Sequence, residues 1–199
     1  MRKSRYQETV PGTVPKAAWA RGHLTPLEFL RIAAWKSARG LGWLSLNAEG
    51  DIEQRTEAAM THLKPWHEKR AVEISDDETW AAWRETSRRA IGSKTAKTGL
   101  LGLHGVDYPM ATAVLCVLDP DVWPVMDRWA VLTVFGTSFS TRAWQRGIAY
   151  EAYTRRLATA GREAWGMDLN IHALDLAAMD ASRKGVLPSG WTTIPLPEA

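Results

Sequence analysis

The residue best suited to chemistry in this chain is an aspartate, Asp127, within Trp123-Pro124-Val125-Met126-Asp127-Arg128-Trp129-Ala130. Val125 to Phe135 reads as a helix stopped by Gly136, which puts Asp127 in its first turn. The helix dipole favours a negative charge there. Such a carboxylate can stabilise positive charge developing on a substrate or activate a water for attack. It can equally be an ordinary N-terminal cap. The second candidate is Lys36, which continues the helical stripe of Phe29 and Ile32. A lysine desolvated on an apolar stripe can act as a nucleophile. A lysine that snorkels keeps its ammonium in water, free to hold a phosphate or to pair with Asp127.

A third pattern is Leu103-His104-Gly105-Val106-Asp107-Tyr108-Pro109-Met110-Ala111. It reads as a short helix, a tight turn with a glycine able to take positive φ, and a second helix starting at the turn. Free amides at that helix start, together with the dipole, favour a phosphate oxygen. Gly105, Val106, Asp107 and Tyr108 are therefore candidate DNA contacts. Lys94 and Lys97 before the turn, Arg128 beside Asp127 and Arg39 after Lys36 are candidate phosphate or base contacts. Each of these charges could instead be solvated or ion-paired. His104 reads as a turn residue.

These two segments resemble the helix-hairpin-helix DNA glycosylase superfamily, whose hairpin reads L-P-G-V-G-x-x-x-A and whose P-V-D element follows about one helix later. Leu103, Gly105, Val106 and Ala111 match the hairpin. Pro124, Val125 and Asp127 match the second element, with Met126 as an extra residue. With Trp35-Lys36-Ser37-Ala38-Arg39 added, residues 25–180 are similar to a small bacterial family of 8-oxoguanine DNA glycosylase-like proteins. The resemblance implies an all-α fold in one compact domain, with a cleft between helical lobes that receives a flipped base. It implies duplex DNA with a damaged or modified base as partner, and hydrolysis of the N-glycosidic bond. Asp127 would be the essential carboxylate.

Two departures qualify what carries over. Asp107 replaces the second hairpin glycine; aspartate tolerates positive φ better than most residues, but it sets a negative charge where a phosphate should approach. Pro109 occupies the place of the lysine nucleophile in bifunctional relatives, so lyase chemistry requires Lys36 to reach the site. The expectation is a monofunctional glycosylase. Two alternatives stand beside it: a non-catalytic helix-hairpin-helix module that only grips nucleic acid, and an interaction protein or small-molecule enzyme that no longer binds DNA.

The elements expected to position these residues are helices. Thr25-Pro26-Leu27-Glu28 is a capping box opening a helix to about Arg39, with Leu27, Leu30, Ala34 and Ala38 forming a stripe beside that of Phe29, Ile32 and Lys36. Helices are predicted from Gly50-Asp51 to Leu63, from the box Ser75-Asp76-Asp77-Glu78 to Ile91, and over Lys94–Leu101. Pro109–Leu118 is apolar all round, as in a buried helix, and Asp119-Pro120 breaks it. Thr141–Ala164 reads as a long amphipathic helix weakened at Gly147, and Asn170 caps a last helix reaching Lys184. Residues 1–22 read as a basic arm, 23–185 as the helical domain and 186–199 as a proline-rich tail draped on the surface.

Composition excludes other classes. No apolar run in the 199 residues approaches the roughly 20 a membrane helix needs, and MRKSRYQETVPGTVPK lacks the apolar stretch of a secretory signal. A single cysteine, Cys116, excludes an internal disulfide and an all-cysteine metal site. His62 and His67 fit no metal-ligand spacing, so neither metal nor cofactor is expected. The net charge of +3 permits a polyanionic partner, and the basic residues crowd towards the N-terminus, from Arg2, Lys3 and Arg5 through Lys16, Arg21 and Arg31. A cytoplasmic location follows, at the nucleoid if DNA is bound. The 11 tryptophans read as core, Trp80 and Trp83 sharing one helix face, and Cys116 reads as an inert buried thiol.

Overall fold

The computed structural model describes residues 14–36, 41–67, 74–137 and 147–197. Its helices are α1 (Val14–Arg21), α2 (Pro26–Lys36), α3 (Leu41–Leu44), α4 (Glu49–Leu63), α5 (Asp77–Ile91), α6 (Tyr108–Leu118), α7 (Arg128–Phe135), α8 (Ile148–Arg156), α9 (Arg162–Trp165) and α10 (Ile171–Lys184). A π-helical segment, Leu157–Gly161, joins α8 to α9. Among the described residues the only extended pairing is a single bridge between Ser93 and Thr98, so the fold is all-helical.

Local chemistry explains most helix starts. The Thr25 amide donates to Glu28 Oε2 at 2.8 Å while the Glu28 amide donates to Thr25 Oγ1 at 3.3 Å, the reciprocal exchange of a capping box. Asn170 accepts from the Ala173 amide to open α10. The second box is shifted by one residue: Asp76, not Ser75, caps α5 by accepting from Thr79.

α6 is buried along nearly its whole length and forms the centre of the core, as its apolar circumference requires. α1, α2 and α5 pack around it, while α7 lies along α10. Trp83 of α5 stacks on Trp123 at 4.7 Å between ring centres, and both are fully buried. Trp80 meets Trp83 edge-on at 5.6 Å, so this pair is core. Of the two stripes on α2, Phe29, Ile32, Ala33 and Lys36 face inward, whereas Leu27 is exposed. Cys116 is buried.

Three expectations are corrected. Part of the supposed arm is α1: Val14 and Ala18 are buried and the Trp19 indole donates to Leu118 O, because three apolar residues at helical spacing can dock on α6. Lys94–Leu101 is not a helix but a four-residue turn closed by the Ser93–Thr98 bridge, followed by a 3₁₀ turn at Leu100–Gly102; glycines at positions 92 and 99 with positive φ break the helical path. The long helix expected over residues 141–164 begins, within the described residues, at Ile148 after the left-handed Gly147 and turns π-helical at Leu157. Within the described part of the tail, Trp191 Nε1 donates to Thr133 O and the Ile194 amide to Val134 O. No helix among the described residues is long and apolar enough to cross a membrane.

Candidate functional site: a lysine–aspartate pair and a capped turn

The route to Asp127 is a stretch of non-helical backbone buried in protein, and such backbone needs partners. Thr112 Oγ1 accepts from the Met126 amide at 3.1 Å. The Tyr150 hydroxyl donates to Pro124 O at 2.7 Å. These contacts from α6 and α8 fix the segment that delivers Asp127. Asp127 itself is the N-cap of α7, one residue outside the helix rather than in its first turn, because its backbone is extended and its Oδ1 accepts from the Trp129 amide at 2.9 Å.

The other carboxylate oxygen meets a second partner. Lys36 Nζ lies 3.1 Å from Asp127 Oδ2, with the side chains 6% and 16% exposed respectively. The inward stripe of α2 therefore carries its lysine to the carboxylate instead of letting it snorkel to water. A largely desolvated ion pair opening by one side to solvent is the result.

A tight turn lies between the 3₁₀ turn at Leu100–Gly102 and α6. Gly105 takes φ +76°, and a Cβ built there would stand 2.8 Å from Trp43 Cβ and 3.1 Å from the Leu44 amide, so glycine is required by both conformation and space. Asn47 clamps the turn: its Oδ1 accepts from the His104 amide at 2.7 Å and its Nδ2 donates to His104 O at 3.0 Å. Asp107 needs no positive φ; it is extended at φ −108° and caps α6, its Oδ1 accepting from the Met110 amide at 3.0 Å. Its carboxylate thus occupies an amide that a phosphate would otherwise take. Two hairpin candidates point inward. Val106 is fully buried and its amide donates to Leu103 O. The Tyr108 phenol is buried edge-on to Tyr150, and desolvation holds its hydroxyl well above the usual tyrosine range. Only Gly105 and Asp107 of the four stand at the surface.

The remaining candidates divide. Lys94 and Lys97 are exposed on the bridge-closed turn, Lys97 with φ +51°. Arg128 is exposed and lies over the ring of Trp129, 4.4 Å from its centre. Arg39, like Arg2, Lys3 and Arg5, lies outside the described residues. Of the other basic residues expected to attract phosphate, Arg21 pairs with Glu28 while Lys16 and Arg31 are exposed.

Sequence reasoning passed over Trp43 and Asn47, which come to the hairpin from an element about 60 residues earlier. Trp43 is 65% exposed beside Gly105. It also passed over a polar chain near the pair: the Tyr153 hydroxyl donates to Asp175 Oδ1 at 2.5 Å, and His172 Nδ1 lies 3.6 Å from Asp175 Oδ2. His172 in turn meets Trp35, the neighbour of Lys36, edge-on. Burial alone would push the His172 imidazole down, but the Cys116 sulfur and the Asp175 carboxylate outweigh it and lift it to about 10.

Comparison with protein-family models, with curated proteins and with solved structures found no match to this chain. Function is therefore read from the geometry of the site. Among the described residues no group of histidine, cysteine and carboxylate side chains could hold a metal ion. His67 instead pairs with Asp119, Nδ1 to Oδ2 at 3.1 Å, and stacks on Trp19.

Desolvation raises Asp119 from 3.8 to about 6, with His67 pulling the other way. A carboxyl whose folded pKa is raised binds more protons folded than unfolded, so its contribution to stability falls as pH rises from 3.8 to 6. Asp119→Asn is expected to flatten the pH dependence of unfolding free energy in that window, by roughly 1–2 kcal/mol after allowance for partial solvent screening. Urea unfolding of the two proteins at several pH values measures this; an unchanged slope would refute it.

Proposed function

We propose that this chain is a DNA base-excision glycosylase-like protein that hydrolyses the N-glycosidic bond of a damaged or modified base. The observation that carries the reading is the 3.1 Å approach of Lys36 Nζ to Asp127 Oδ2 at the end of a buried segment that Thr112 of α6, the helix following the Gly105 turn, holds in place. An amine and a carboxylate held together, desolvated yet partly open, are the two groups such a reaction uses.

In this reading the carboxylate of Asp127 opposes the positive charge that grows on the sugar C1′ as the glycosidic electron pair leaves with the base. A water then bonds to C1′ and gives its proton to Asp127. Lys36 adds a second route, since Pro109 stands in the place of a hairpin lysine. After passing a proton to Asp127, its Nζ lone pair can bond to C1′ in place of water as the base leaves and takes that proton from Asp127; the C1′–O4′ bond then breaks, O4′ takes a proton from the nitrogen, and a protonated imine to Lys36 remains. The exposed hairpin face around Gly105 and the exposed cations Lys94, Lys97 and Arg128 would lie along the DNA backbone.

One observation favours a second reading, a protein of this fold that has left DNA behind. Asp107 fills the α6 N-terminus with its own carboxylate. One experiment separates the readings. Base release is measured over a panel of lesion-bearing duplexes at low salt, with duplex binding followed by gel shift, and borohydride trapping is compared between wild type and Lys36→Ala. Release by wild type supports the proposal, and a trapped adduct lost in Lys36→Ala assigns the lysine route. Salt-sensitive binding without release from any duplex would replace the enzyme with a binding module, and absence of binding would establish the second reading.

A further inference from the structure

A separate cavity of about 580 Å³ lies between the loop after α6, the start of α9 and the start of α10. That volume is in the range of small-molecule sites. None of its lining residues belongs to the hairpin or to the Lys36–Asp127 pair, so a role for the cavity is independent of the glycosylase reading.

Arg162 lines this cavity and is only 4% exposed. Its Nη1 donates to Ala158 O at 2.7 Å, and among the described residues no carboxylate forms an ion pair with it. Buried charges are ordinarily paired, because a desolvated guanidinium without a counter-ion is costly. Desolvation pushes this guanidinium down, with Asp121 opposing the shift from a distance. The remaining guanidinium donors suit a planar oxyanion bound through two hydrogen bonds.

The other walls narrow the choice. Asp121 and Asp168 line the same cavity, and the Asp121 backbone is pinned by its amide donating to Asp119 Oδ1 at 3.3 Å. Two carboxylates disfavour an inorganic anion, and a buried guanidinium disfavours a simple cation. Met167, Leu169 and Ala173 add apolar side chains to the same lining. A ligand that satisfies all three carries both signs on an apolar body.

We propose that this cavity binds a small zwitterion of amino-acid to dipeptide size, its carboxylate on Arg162 and its ammonium towards Asp121 and Asp168.

The test is calorimetry together with ¹H–¹⁵N spectra of the full chain, titrated with L-phenylalanine, L-leucine and L-alanyl-L-phenylalanine. Controls are 3-phenylpropionate, phenethylamine and inorganic phosphate. At least one zwitterion is expected to bind saturably, shifting the amides of Asp168, Asn170 and Ala173, and more tightly than either one-charge analogue. Arg162→Gln, which keeps a donor for Ala158, should weaken it at least about tenfold. Asp168→Asn, at an exposed position, should weaken the zwitterion but not 3-phenylpropionate, and it carries the test if Arg162→Gln does not fold. No saturable shift from any of the three zwitterions, tighter binding of phosphate, or an analogue lacking one charge binding equally well would each overturn the assignment.

Discussion

Asp127→Asn is expected to lower base release by about a hundredfold or more and to lower stability by roughly 1–3 kcal/mol. The two effects have different origins. Asparagine caps a helix as well as aspartate does, so the hydrogen bond from the Trp129 amide survives the change. What is lost is the charge facing Lys36 Nζ, whose side chain is 6% exposed. Removing one member of a desolvated pair takes a charged partner from the other, and partial opening of the Asp127 side keeps the cost below that of a fully buried pair. The double variant Lys36→Met/Asp127→Asn removes both charges and should recover most of the stability without recovering release. Urea unfolding of the wild type, the two single variants and the double variant gives the coupling energy, and base-release rates on the same proteins give the chemical effect. Release that persists in Asp127→Asn would remove the proposed mechanism. Losses of the two single variants that simply add in the double variant would show that the pair is not energetically coupled.

Among the described glycines, Gly92→Ala should be the most damaging substitution. Gly92 caps α5 at φ +78° and ψ −152°, a region open only to glycine. A Cβ there would stand 2.0 Å from Thr98 O and 2.6 Å from Gly99 Cα. Both obstacles are backbone, so no side chain can rotate away. Gly99 is locked reciprocally, since its own Cβ would meet Gly92 Cα at 2.7 Å and Ala90 O at 2.8 Å. The two glycines let the ends of the Ser93–Thr98 turn cross, and the chain leaves that crossing directly into the 3₁₀ turn before the hairpin. We expect a loss of about 3 kcal/mol or more, hence a fall in Tm of roughly 10 °C for a domain of this size. Gly185→Ala is the matched control: Gly185 has φ +66° but nothing within 4 Å of its Cβ direction, so it should lose only about 1 kcal/mol. Thermal unfolding of the two variants side by side measures what crowding and the glycine-only backbone of Gly92 add together, and near-equal midpoints would contradict the crossing.

The parts of this protein legible in its sequence are those governed by interactions a few residues long. The Thr25–Glu28 box and the Asn170 cap stand where their residue types place them, because the donors they satisfy lie within one helical turn. The apolar circumference of α6 announced a buried helix, and the spacing of Phe29, Ile32 and Lys36 put the lysine on one stripe of α2. The same rules failed at Lys94–Leu101. Helical propensity across that stretch was outweighed by two glycines whose backbones touch, a contact with no local signature.

What only tertiary structure decided is which stripe of α2 turns inward and what its lysine meets there. Lys36 and Asp127 are 91 residues apart, and Asn47 and His104 are 57 apart. Those meetings depend on how α2, α6 and α7 dock, which is set by side-chain volumes over the whole core rather than by the period of any one helix. The same holds for Arg162, whose sequence neighbours gave no hint of a cavity wall. The sequence named the chemical groups because their identities are local. Packing alone chose their partners, because a salt bridge or a pocket is a property of surfaces that come together only after the helices have formed.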